Sequence, residues 1–219
     1  MRFFMIGIAV LSPCVMFAVA ESPQEAVRWD FEDAAVGKLP KGWSAAKTGE
    51  GEGSVWKVVE DASAPKGTRV LAQTSESPAP MFNLCVARDT SFKDVALAVS
   101  FKAVKGNTDQ GGGLVWRYLD ANNYYVARMN PLEDNFRLFK VVNGKRSQIA
   151  SKDSLEVPAG TWHKMTVTMK GDQIECTLNG KKYLEAKDGT FKQAGRVGLW
   201  TKADAQTYFD DFSVASIDR

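Results

Sequence analysis

The stretch Gly113-Leu114-Val115-Trp116-Arg117-Tyr118-Leu119-Asp120-Ala121-Asn122-Asn123-Tyr124-Tyr125-Val126-Ala127-Arg128-Met129-Asn130 decides the fold. Two apolar runs flank the turn-forming Asp120-Ala121-Asn122, and within each run successive side chains alternate between two faces. That pattern is a β-hairpin. The chain continues in the same manner. Asn130-Pro131-Leu132-Glu133-Asp134-Asn135 reads as a turn, a third strand follows over 136–142, and Asn143-Gly144 marks a tight hairpin.

Further runs of period 2 cover 27–32, 55–59, 69–73, 95–104, 164–170, 173–178 and 196–201. Lys170-Gly171-Asp172 and Asn179-Gly180 supply two more tight turns. No segment keeps a 3.6-residue period over three turns, so helix is expected to be minor. Many short strands at this spacing predict an all-β protein, an antiparallel two-sheet sandwich.

Composition narrows the function classes. The 219 residues carry 28 Lys+Arg and 26 Asp+Glu, a formal charge of +2. That leaves no electrostatic footprint for nucleic acid. One His and three Cys exclude the usual Cys/His zinc sites. Charged residues at 25% and hydrophobic residues at 44% are ordinary globular values.

The first twenty residues read as an address. Arg2 gives a basic start, an apolar run follows, and Ala18-Val19-Ala20 is a small-x-small cleavage pattern. We expect residues 1–20 to be a signal peptide and 21–219 one domain, exported to the periplasm or the cell exterior, with no membrane span after cleavage. Removal of Arg2 and Cys14 brings the charge near +1 and leaves Cys85 and Cys176. In an oxidising compartment these two either bridge or remain as buried thiols.

Several motifs together resemble the concanavalin A-like (laminin-G-like) jelly rolls across the whole mature chain. They are Trp29-Asp30-Phe31-Glu32-Asp33, Leu39-Pro40-Lys41-Gly42-Trp43, the central hairpin, Gly160-Thr161-Trp162-His163, Gly195-Arg196-Val197-Gly198-Leu199-Trp200 and Tyr208-Phe209-Asp210-Asp211-Phe212. Within that group the chain is similar to the secreted bacterial domains near the 3-keto-disaccharide hydrolases. The resemblance implies a jelly-roll sandwich and carbohydrate chemistry.

The residues themselves offer a binding face. If the strands pair across their short turns, Arg117 shares a side with Tyr124, and Arg128 lies opposite Arg137. Neighbouring arginines in a sheet repel unless an anion lies between them. Glu133 or an anionic, hydroxyl-rich ligand fits that place. Val197 and Leu199 read as core, which turns Trp200 outward as a platform for a sugar ring. We therefore expect Arg117, Tyr124, Arg128, Glu133, Asn135, Arg137 and Trp200 to contact a glycan ligand.

A glycosidase needs two facing carboxyl groups. The nearest acidic groups in sequence are Asp30/Glu32/Asp33, Glu133/Asp134 and Asp210/Asp211, none in a Glu-x-Asp-x-Glu run. His163, the only histidine, lacks a Gly-x-Ser-x-Gly partner motif and reads as structural. Asp30, Glu32 and Asp211 are candidate ligands for a structural Ca²⁺, because first and last strands are neighbours in such jelly rolls. No other cofactor is expected. The leading reading is lectin-like, non-catalytic saccharide binding. The alternatives are a glycoside hydrolase and a protein–protein or envelope-matrix module.

Overall fold

The computed structural model describes residues 26–77 and 80–217. The expected signal peptide, with Cys14, lies outside these residues. The described chain forms strands and turns without helix, in two antiparallel sheets. Strands are numbered along the chain.

The first sheet runs, in spatial order, β13 (Lys181–Lys187), β12 (Gln173–Leu178), β11 (His163–Lys170), β6 (Val95–Lys105), β15 (Gln206–Ser216), β4 (Arg69–Gln73) and β3 (Trp56–Glu60). The short β1 (Val27–Trp29) pairs with β15, Trp29 opposite Phe212, so first and last strands are neighbours as expected. The second sheet runs β10 (Lys145–Asp153), β9 (Asn135–Val142), β8 (Asn123–Asn130), β7 (Gly112–Asp120), β14 (Gly195–Lys202), β5 (Phe82–Phe92) and β2 (Trp43–Thr48).

The central hairpin sits as its sequence predicts. Trp116 pairs with Tyr125, and their rings stack at 5.6 Å. Asn143-Gly144 and Asn179-Gly180 both take positive φ at each residue, the turn geometry that matches strand twist. Strands β10 and β13 are among those the period did not reveal, with β2, β5 and β15. Along β10 no residue is buried, and along β13 only Leu184 is, as expected of sheet edges.

The main core fills the space between the sheets. Leu97, Val99 and Phe101 of one sheet meet Leu114, Trp116, Tyr125 and Leu199 of the other. Each such side chain contributes roughly 1.5–3 kcal/mol when fully buried. A second apolar cluster lies on the other side of the second sheet alone: Phe82, Leu84, Val86, Val115, Tyr118, Tyr124, Val126, Phe139, Val141 and Trp200. This outer face carries the candidate site.

Both cysteines are free and buried. Cys85 lies on β5 of the second sheet and Cys176 on β12 of the first, each packed in the core. The bridge is thus the alternative the structure discards. Burial pushes both thiols well above their ordinary range.

Candidate functional site

Strands β8 and β9 pair so that Arg128 faces Arg137 directly. The register follows from Asn130 pairing Asn135 across the four-residue turn, with Asp134 in the left-handed region. From this turn Glu133 reaches back between the two guanidinium groups. Its Oε2 accepts from Arg128 Nη2 at 2.9 Å and lies 3.8 Å from Arg137 Nη1. Asn135 completes the arrangement. Its Oδ1 accepts from Arg128 Nη1 at 2.7 Å, and its Nδ2 donates to Glu133 Oε2 at 3.1 Å. Partial burial pushes the Glu133 carboxyl up, but the hydrogen bonds from Arg128 and Asn135 win and hold it at about 2. Arg137 also donates to Asp153 Oδ1 at the rim, 3.2 Å away.

A second carboxylate closes the end of this row. Asp109, 1% exposed, accepts from Lys202 Nζ at 2.8 Å and from Asn130 Nδ2 at 3.0 Å. Burial raises its pKa against the pull of Arg128 and Lys202. Asp204 fixes the loop that carries it by accepting backbone N–H bonds from Asn107, Thr108 and Asp109.

Arg146, on β10, was not among the residues read from the sequence. It pairs in register with Val141, on the same outer face. Its guanidinium lies 4.3 Å from the Phe139 ring centroid, 5.0 Å from Phe82 and 5.8 Å from Trp200. Signals that would have marked it, period 2 and apolar content, are weak in the exposed edge strand.

The remaining expected residues fall as follows. Tyr124 belongs to the outer face, and its hydroxyl lies 2.8 Å from the Thr48 hydroxyl, both buried. Trp200 does point away from Val197 and Leu199, which sit in the inter-sheet core. It is, however, fully buried, packed at 5.3 Å against Phe82 and under Arg146, and is no open platform. Arg117 is not at this face. A bulge between Trp116 and Asp120 shifts the strand's alternation, and Arg117 takes φ 43°. Gly195 makes the bulge feasible, since a Cβ there would lie 2.5 Å from the Arg117 carbonyl carbon. The Arg117 guanidinium donates to the carbonyls of Lys93 (2.9 Å), Phe191 (2.5 Å) and Gly171 (2.7 Å) and to Asp94 Oδ1 (3.2 Å). It ties hairpin ends together.

The expected calcium ligands do not gather. β1 ends at Trp29, and Phe31 turns to φ 61°, so Asp30 and Glu32 no longer share a strand face. Glu32 instead accepts from the backbone N–H of Thr68 and Arg69, and Asp211 faces Lys164 at 3.4 Å. Among the described residues no group of three or more His, Cys, Asp or Glu side chains is placed to hold a metal ion. Asp210 is the buried carboxyl here; burial raises it to about 6, against hydrogen bonds from the Lys66 and Asp211 amides and with the charges of Asp211 and Asp30 adding to the rise. His163 is structural, its Nε2 against the Pro158 carbonyl and its Nδ1 against Asn179.

With this geometry in hand, residues 30–215 match the model of the 3-keto-alpha-glucoside-1,2-lyase-like domain. The chain belongs to that family. No curated protein matches it significantly. Solved structures share the fold. A carbohydrate binding module (CBM66) from Bacillus subtilis superposes with TM-score 0.65 at 21% identity, over 80% of this chain and 96% of that one. The cellulose induced protein Cip1 gives 0.63 at 12% identity, over 87% and 97%. A Bacteroides ovatus mixed linkage glucan GH16 protein, in complex with a G4G4G3G product, gives 0.58 at 12% identity, over 86% and 99%. These likenesses establish the concanavalin A-like jelly roll for this member of the 3-keto-alpha-glucoside-1,2-lyase-like family. No helix of the described residues is long and apolar enough to cross a membrane.

Proposed function

We propose that this exported domain binds a saccharide on the outer face of its second sheet, at the Arg128–Glu133–Arg137 row. The observation that carries the reading is a donor surplus. Glu133 satisfies parts of both arginines, yet the buried Nε–H groups of Arg128 and Arg137 have no acceptor among the described residues. Buried donors without partners are costly, and a ligand rich in oxygen acceptors relieves that cost. Membership in a family named for glucoside chemistry, and a fold shared with a carbohydrate binding module, support a sugar as that ligand. Arg137, about one-third exposed, is the residue a ligand reaches first. Binding without catalysis fits the carboxylates, because Glu133 and Asp109 are both held by internal cations.

A glycan array with the wild type and Arg137→Ala tests the reading. Binding of at least one saccharide class is expected, with loss in the variant. An array on which the wild type binds nothing overturns it.

One observation favours a second reading, hydrolytic or lyase chemistry. Asp109 is raised and Glu133 lowered on the same face, the split that separates an acid from a base. Release of reducing sugar from a glucoside, lost in both Asp109→Asn and Glu133→Gln, would establish it.

A further inference from the structure

The charge balance of the outer face points to the kind of saccharide, and this step rests on the binding reading above. Four cations gather here, Arg128, Arg137, Arg146 and Lys202. Three carboxylates face them: Asp109, Glu133 and, at the rim, Asp153. Every carboxylate is already engaged. Asp109 is held by Lys202 and Asn130, Glu133 by Arg128, Arg137 and Asn135, and Asp153 by Arg137 and Ser151.

Arg146 is the cation of this face left over among the described residues. Its side chain forms no ion pair and no hydrogen bond with any of them, and its Nη1 is buried without an acceptor there. Its surroundings are three aromatic rings, whose faces attract the charge but accept no strong hydrogen bond. Its charged neighbours are Arg128, which repels it, and Asp109 and Glu133, which are spent elsewhere. Burial lowers its pKa, and so does Arg128. A partly buried guanidinium without a counter-charge is an unfavourable arrangement, and an anion brought by a ligand would relieve it. The Nε–H groups of Arg128 and Arg137, on the same face, also lack acceptors among the described residues. Guanidinium forks match a planar carboxylate in two parallel hydrogen bonds.

We propose that the ligand is an acidic saccharide, a uronic-acid-bearing glycan, and that Arg146 is the anchor for its carboxylate beside Arg128 and Arg137. The fully paired Arg117 provides the contrast within the same sheet: its donors go to three carbonyls and Asp94, and it has nothing left for a ligand.

The test is a glycan array that pairs each uronic-acid oligosaccharide with its neutral counterpart, followed by calorimetry on the best pair. The acidic member is expected to bind at least about tenfold more tightly, a preference of the size one charge-assisted contact confers, and to weaken as salt is raised. Arg146→Gln is expected to bring the acidic-to-neutral ratio near one, and Arg146→Lys to restore most of it. A simple packing role for Arg146 would leave that ratio unmoved in both variants, which overturns the assignment. Neutral members bound as well as acidic ones overturn the charge assignment and leave saccharide binding standing. Sulfated glycans preferred over carboxylated ones overturn the carboxylate. An array with no saccharide bound overturns both readings. If Arg146→Gln fails to fold, the salt dependence and the wild-type acidic-to-neutral ratio still decide.

Discussion

The outer faces of the two sheets differ in how far their polar groups are paired within the protein. On the first sheet, β11 and β12 alternate between buried and open positions along their length. Their outward residues are paired polar groups, such as the Thr166 and Thr177 hydroxyls at 2.6 Å. That is the ordinary state of an antiparallel sheet with water on one side. On the second sheet, β7 and β8 are buried on both faces through most of their length. There an aromatic bed holds an arginine with no ion-pair partner among the described residues, and two more arginines share one glutamate. A solvated face satisfies itself and has no need of a ligand. A face with leftover donors is incomplete by itself.

Substitutions can break this contrast, and the largest effect is expected at Trp200. Because the indole is fully buried, Trp200→Ala is expected to destabilise the fold by about 3–5 kcal/mol in urea unfolding. A loss near zero would mean that the outer face is open. Arg117→Ala comes next, at about 3 kcal/mol, since it removes the donors to three carbonyls and leaves Asp94 with the Gly171 amide alone among the described residues. Saccharide binding by the folded fraction is expected to persist in it, whereas Arg137→Ala inverts the pattern, with binding lost and stability changed by less than about 1 kcal/mol.

The carboxyls give a pH signature. Glu133 lies below its ordinary value, so its contribution is present above about pH 4.5 and disappears as pH falls toward 2. Asp210, raised to about 6, behaves oppositely: its contribution is full below about pH 4 and is lost as pH rises through 6. Stability–pH curves of Glu133→Gln and Asp210→Asn should therefore flatten on opposite sides of pH 4.5, and a shared flattening would refute the assignment. The smallest effect is expected at Thr166→Ala, within about 1 kcal/mol, as for an outward position with one half-buried hydroxyl pair.

Much of the site was legible because β pairing is a local rule. The turn 130–135 sets the register, and the register places Arg128 against Arg137 with Glu133 beside them. The same parity correctly put Trp200 opposite Val197 and Leu199. It failed at Arg117, since a bulge breaks the alternation there, β7 advancing four residues from Trp116 to Asp120 while β8 advances two, and nothing in Trp116-Arg117-Tyr118 announces it. It also passed over Arg146, because an edge strand such as β10 need not alternate apolar residues.

By itself, then, the sequence determined the strands, the tight turns and the side of the sheet on which most residues stand, since these follow from backbone stereochemistry over a few neighbours. Only the tertiary structure decided which of those sides is covered. It took the closing of seven strands into one sheet to bury Trp200, to keep Cys85 and Cys176 on separate sheets, and to leave Arg146 on its aromatic bed without an ion-pair partner among the described residues. Burial and charge balance are sums over residues distant in the chain, and no local period encodes them.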